Sequence, residues 1–171
     1  MIRFGTIPET ETNNSGTPYR SITRAKYVPE GRTLHVLDPE NIGGFHEGFE
    51  TEYTTAIGGL GHEDHVVIGV DPGRFIRAYH TFRRLTGRII GGSGKDGADI
   101  ALLRELREID FVVSRYDRVL IGSGDHIFAP AAAQLVECGI VVGVIARYDS
   151  LSATLADSAS FTITMPPLRI R

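Results

Sequence analysis

The chain has 171 residues, 42% of them hydrophobic and 23% charged, with a formal net charge of −3; this suits one soluble domain with a sizeable core, on which any nucleic-acid surface must be local. The lone Cys138 excludes an internal disulfide and a cysteine zinc cluster, and fits a reducing compartment. No run approaches the ~18 apolar residues of a membrane span, and the opening MIRFGTIPETETNN has no long apolar core, so neither a signal peptide nor a membrane partner is expected, and the expected location is cytoplasmic.

Residues 1–31 are rich in Thr, Pro, Asn, Ser and Gly and read as an N-terminal extension. A strand-length apolar run follows at Thr33–Leu37, and a short helix is expected around Glu50–Ile57 in a glycine-rich region. A second strand is expected at Val66–Val70, then a helix starting at Pro72–Gly73 and stopping at Gly87, then a strand at Arg88–Ile90. A helix is expected from near Asp96 to about Val113, a strand at Val119–Ile121, and a helix from near Phe128, with Pro130 in its first turn, to Gly139. Strands at Ile140–Ile145 and Phe161–Thr164 close a domain over residues 32–165, and residues 166–171 form a tail. Strands alternating with helices imply an α/β fold with a mainly parallel sheet and helices on both faces. Sites in such sheets form beyond the carboxyl ends of the strands, at the switch point.

Three of these runs end in an acid, at Asp38, Asp71 and Asp125, and the parallel reading puts all three on one edge. Each has an ordinary explanation: a turn before Pro39, a cap on the helix at Pro72, a cap on the helix near Phe128. Asp99 is different. Stepping about 100° per residue from it places Leu102, Leu103, Leu106 and Ile109 in an arc centred close to Asp99 itself, so the acid lies in the middle of the apolar face. The helix dipole favours an acid in the first turn by about 0.3–1 kcal/mol but does not explain why it faces inward. A buried carboxylate must be paired, protonated or bound to a cation, and two carboxylates 4 Å apart repel by about 4 kcal/mol at an effective dielectric of 20. Oxygen ligands without Cys or paired His point to Mg²⁺ or Mn²⁺.

The segments LDPENIGG, KDGADIAL and VLIGSGDHIFAPAAAQLVECGIVVGVIA, with the closing SLSATLADSASFTIT, resemble in order and spacing the NYN domain, a branch of the PIN-like ribonuclease group. The resemblance covers about residues 33–164, and its third segment is the most specific. It implies a PIN-like (Rossmann-like) three-layer α/β sandwich, a divalent cation held by clustered acids, and hydrolysis of RNA. Carried over residue by residue, Asp38, Asp99 and Asp125 would hold the metal, and Asn41 and Ser123 would orient ligands or phosphate. The sequence departs from the family at Ile127, where a further Asp is common, and at Ser160, which replaces an acid often found before the last strand. Ile cannot bind Mg²⁺, so a catalytically weakened or inactive module that binds RNA or a protein partner is the alternative.

Other residues bear on RNA. A wheel from Arg74 puts Arg74, Arg77, His80 and Arg84 on an outer basic stripe, with Phe75, Ala78, Tyr79, Phe82 and Leu85 facing the sheet, so Tyr79 and Phe82 are expected to pack. The stripe either meets phosphates or is a solvated face. GGSGKDG, Gly91–Gly97, fails the phosphate-loop pattern and reads as a flexible entry to the Asp99 helix, with Lys95 near a phosphate. His126 is either a donor near the site or a solvent-facing loop histidine. A small-molecule enzyme on a Rossmann-like body is a third reading; it lacks the glycine-rich loop after the first strand, where Asp38-Pro39-Glu40-Asn41 stands. Asp71 and Asp96 stay open between capping and the rim of the cluster, as does a homo-oligomer.

Overall fold

A computed structural model describes residues 31–166, so the expected extension and tail lie outside the described residues apart from their inner ends. The strands are β1 (Thr33–Leu37), β2 (His65–Val70), β3 (Arg88–Gly91), β4 (Arg118–Gly122), β5 (Val141–Arg147) and β6 (Phe161–Met165). The helices are α1 (Phe49–Ile57), α2 (Phe75–Thr81), α3 (Gly97–Arg107), α4 (Ile109–Arg115), α5 (Ala129–Glu137) and α6 (Ala153–Ser158). One six-stranded sheet runs in the order β3-β2-β1-β4-β5-β6, and every pairing is parallel. All six expected strands are present, and the sheet is wholly rather than mainly parallel.

Side chains alternate along the strands and build two cores. Leu34, Val36, Val119, Ile121, Val142 and Val144 face α3 to α6 on one side. Leu37, Ile68, Leu120 and Ile145 face Phe49, Tyr53 and Ile57 of α1 and Ala78 of α2 on the other. The result is a three-layer α/β sandwich. Sequence order reverses between β1 and β4, so the switch point lies beyond their carboxyl ends.

Two helices differ from expectation. The helix expected from Pro72 to Gly87 is a 3₁₀ turn at Pro72–Arg74 followed by the short α2. It stops because Phe82 turns inward, 5.5 Å from the Phe45 ring and 5.7 Å from the Phe49 ring. The Glu50 carboxylate then accepts hydrogen bonds from the backbone N–H groups of Arg84 and Leu85, at 2.6 and 3.1 Å, in place of helical carbonyls. Tyr79, within α2, is 68% exposed rather than packed, whereas Phe82 is buried as expected. The helix expected from Asp96 to Val113 is two helices, broken at Glu108, whose ψ of 63° is not helical.

Arg147, 4% exposed at the end of β5, ties the α1 layer to the sheet. Its Nη1 and Nη2 donate to the two Glu52 oxygens at 2.9 and 3.0 Å, and its Nε donates to the Ile42 carbonyl at 2.7 Å. It also donates to the Pro166 carbonyl at the end of the described chain. The hydrogen bond and charge of Arg147 hold the Glu52 carboxyl below its ordinary range. Arg147→Met leaves Glu52 and two carbonyls without their donor; we expect a loss of about 3 kcal/mol, read as a lower urea midpoint at unchanged m.

Candidate functional site

A cleft of about 270 Å³ opens beyond the carboxyl ends of β1, β2, β3 and β4. Asp38, Asp99 and Asp125 all line it, joined by Glu40, Asn41, Asp71 and Asp96. Asp38 is the first residue after β1 and is 5% exposed. Its Oδ1 accepts the backbone N–H groups of Glu40 and Asn41 at 3.2 and 3.3 Å, and its Oδ2 accepts the Ser123 hydroxyl at 3.2 Å. Ser123, wholly buried, also accepts the Asp125 N–H at 3.2 Å. The Asn41 side-chain oxygen accepts the Gly124 N–H at 2.7 Å. Asn41 and Ser123 therefore fasten the loop after β1 to the loop after β4 and orient its acids.

Asp99 reaches the same place from β3. A Cβ on Gly92 would lie 1.8 Å from the Gly97 carbonyl oxygen, and a Cβ on Gly97 would lie 2.4 Å from that of Gly92. The two ends of the GGSGKDG segment are thus in backbone contact, which only glycine permits, and α3 starts directly at the sheet edge. Asp99, in its first turn, is half-buried and its carboxyl hydrogen-bonds that of Asp38.

Two carboxylates can share such a bond only if one carries a proton. Burial, then the Asp38 charge, then that hydrogen bond push the Asp99 carboxyl up to about 7; the charges of Asp125 and Asp96 add to the effect. Burial also raises Asp38, against the opposing hydrogen bonds from Asn41, Ser123, Asp99 and Glu40. Burial and mutual repulsion raise both carboxyls, so the pair holds a proton more readily than a free carboxyl does.

Asp125 is committed in part to its own loop. Its Oδ1 accepts the Ile127 N–H at 3.0 Å, capping a 3₁₀ turn at His126–Phe128, and lies 3.0 Å from His126 Nδ1. Ile127 packs against the core on the α5 side. His126 has an 80% exposed side chain. Asp71 caps the turn at Pro72, its Oδ1 accepting the Gly73 N–H at 2.8 Å, and lines the cleft as well. Asp96 makes no side-chain cap and holds a positive φ of 56°. Ser160 lies at the opposite edge of the sheet, where its hydroxyl accepts the Val142 N–H at 3.1 Å.

The basic residues divide. Arg74 pairs with Glu40 at 3.2 Å, and Arg74 and Arg77 sit over the Phe45 ring at 5.3 and 5.1 Å, which puts them at the mouth of the cleft. Lys95 is exposed between Gly94 and Asp96, both lining residues. Arg84 is not brought to the cleft, because it precedes β3 and so stands at the far end of the parallel sheet. Sequence reasoning missed Glu40 and Phe45. The signal for Glu40 was its place two residues after a strand-end acid.

The donors facing the cleft are carboxylate and amide oxygens, the set that hard divalent cations take. A carboxyl pair raised by burial and mutual repulsion fits such an ion in the proton's place. Among the described residues no three Asp, Glu, His or Cys side chains are gathered closely enough to hold a metal ion. The fitting donors are Asp38 and Asp99, with Asp125 on the same cleft.

No family model matches the sequence, and no curated protein is similar to it. The fold is similar to the crystal structure of a protein of unknown function from Vibrio parahaemolyticus RIMD 2210633, with a TM-score of 0.58 over 83% of this chain and 96% of that chain, at 16% identity. Among the described residues no helix is long and apolar enough to cross a membrane.

Because Asp99 moves from an ordinary 3.8 to about 7, the folded chain keeps a proton that the unfolded chain has already lost. Stability is then full below the ordinary carboxylate range, falls as pH rises, and levels off above about 7. Asp99→Asn, which cannot ionise, is expected to melt a few degrees above wild type at about pH 8 in metal-free buffer. The difference should close by about pH 4, as measured by thermal denaturation across that range.

Proposed function

We propose that the chain is a divalent-metal-dependent ribonuclease that hydrolyses RNA phosphodiester bonds, with a PIN-like site at the β1/β4 switch point. The observation that carries the reading is the convergence of Asp38, Asp99 and Asp125 on one cleft beyond the strand ends, where burial and mutual repulsion raise the first two carboxyls. Asp38 and Asp99 would hold Mg²⁺ or Mn²⁺, with Asp125 nearby. The ion would supply a more acidic bound water and neutralise charge on the phosphate. Asp38 is kept in place by two backbone N–H groups and Ser123, and Asn41 keeps the Asp125 loop at fixed height over it. Arg74 and Arg77, braced on Phe45, supply positive charge where the flanking phosphates of an RNA strand would pass.

A Rossmann-like small-molecule reading fits less well. The sheet order matches a dinucleotide-binding body, but the turn after β1 presents the Asp38 carboxylate where a pyrophosphate would need backbone N–H groups. A module that binds RNA or a protein partner without cutting is favoured by two observations: the Asp125 carboxylate already caps the Ile127 N–H, and among the described residues no three acid, His or Cys side chains are gathered closely enough to hold a metal ion.

Single-turnover cleavage of single-stranded RNA in Mn²⁺ distinguishes these. We expect Asp38→Asn and Asp99→Asn, each folded by circular dichroism, to lower the rate by about 10²-fold or more. Asp125→Asn should cost less, about tenfold, because part of that side chain's work is capping. Rates that ignore chelation, or that survive Asp99→Asn unchanged, would remove the nuclease; tight RNA binding without cleavage in either metal would establish the non-catalytic module. Arg74→Ala and Arg77→Ala should each weaken RNA binding and reduce the slope of log affinity against log salt by roughly 0.7.

A further inference from the structure

A second surface lies away from the cleft, along the outer edge of β3. β3 is a terminal strand of the sheet, and among the described residues it pairs with β2 alone. Among the described residues no strand pairs with its outward N–H and C=O groups. Natural edges are blunted by proline, bulges, inward charges or a covering element. β3 reads Arg-Ile-Ile-Gly, with a charge only at its start. Beside it, on the Ile89 face, α2 turns three large apolar side chains outward: Phe75, 37% exposed, Ile76, 78%, and Tyr79, 68%. With Gly87 and Ile89 they line an open groove of about 410 Å³ between helix and strand.

The electrostatics of this face narrow what would fill it. Residues 72–90 contain five arginines and no acidic residue, in a chain whose formal charge is −3. Arg83 and Arg84 are exposed in the turn leading into β3, and no carboxylate pairs with either guanidinium among the described residues. Arg88, at the strand's start, is paired with Glu105. A two-fold contact between copies would set the same face, with its Arg83 and Arg84, against itself. A nucleic acid would answer the charge but not the apolar floor, whose most exposed member is Ile76.

We infer that the β3 edge and the Phe75–Ile76–Tyr79 shelf form a docking site for an extended, acidic peptide segment of a partner protein, which adds as a further strand to the sheet. Alternate apolar side chains of that segment fall on the shelf, because side chains of an added strand share the face of Ile89 at every second position. Its acidic residues lie toward Arg83 and Arg84. The site is separate from the acidic cleft and does not depend on the activity proposed there.

The test uses the full chain and a fluorescent nonapeptide of alternating Ile and Thr with Asp-Glu at both ends, read by anisotropy. We expect a dissociation constant of roughly 10–100 μM. Replacing the peptide's acidic ends by Lys-Lys, or its central residue by Pro, should weaken binding at least about tenfold. Ile76→Asp and the double variant Arg83→Glu, Arg84→Glu should do the same; these side chains are exposed, so circular dichroism should be unchanged. No binding below about 1 mM, equal binding of the Lys-ended peptide, or displacement by an oligouridylate overturns the proposal. So does a dimer of the peptide-free chain that Ile76→Asp abolishes, which would make a second copy the occupant. Slow hydrogen exchange at the outward amides of β3 in the peptide-free monomer would assign the groove to a segment of the chain itself, and overturns it as well.

Discussion

The cleft is organised by the approach of two carboxyl groups that repel each other when both are charged. Asp38 is nearly buried and already accepts three hydrogen bonds, so it is the better placed of the pair to carry charge. Burial, and then the Asp38 charge, push Asp99 up to about 7. Any positive species entering the cleft competes with a proton there. The pH dependence of this site is therefore the expression of a single electrostatic constraint.

Holding such a pair together costs stability, and the fold supplies the restraint from three directions. The parallel sheet brings the carboxyl ends of β1 and β4 side by side, and the register sets Leu37 opposite Gly122, so the residues that follow meet at the switch point. Asn41 and Ser123 lock the two loops to each other. The third direction is the backbone contact of Gly92 with Gly97, which starts α3 at the sheet edge and delivers Asp99. On the far side of the β4 loop, a Cβ on Gly124 would meet the Ser150 carbonyl oxygen at 2.1 Å, so the loop after β5 closes that flank. Strain-prone glycines and buried polar residues concentrate here because close backbone approach is what the site requires.

The charge of the molecule is divided rather than mixed. Acids gather where the strands end, and arginines gather along α2 and the turn into β3. Arg74, just before α2, and Arg77, within it, join the two regions, through Glu40 and Phe45. The other end of α2 carries its positive charge to an open strand edge with an apolar shelf. A modest net charge thus conceals two surfaces with opposite preferences.

How much of this was legible before folding differs by level. Strands buried on both faces announce themselves as continuous apolar runs, so all six strands and the layer architecture could be read from local sequence. The inward aim of Asp99 followed from helical geometry, and the strand-end positions of Asp38 and Asp125 from the parallel pattern. Helix lengths were not legible: Phe82 leaves its helix to reach Phe45 and Phe49, and Glu50, more than thirty residues away, satisfies the amides set free. Nor was it legible that Tyr79, within that helix, faces outward. The side-chain period of a helix or strand is a property of neighbours in the chain, and by itself it determined which elements form and which acids face inward. Which acids share a proton, which cap their own loops, and which arginines reach the cleft were decided by contacts between segments distant in sequence, and only the tertiary structure could set those.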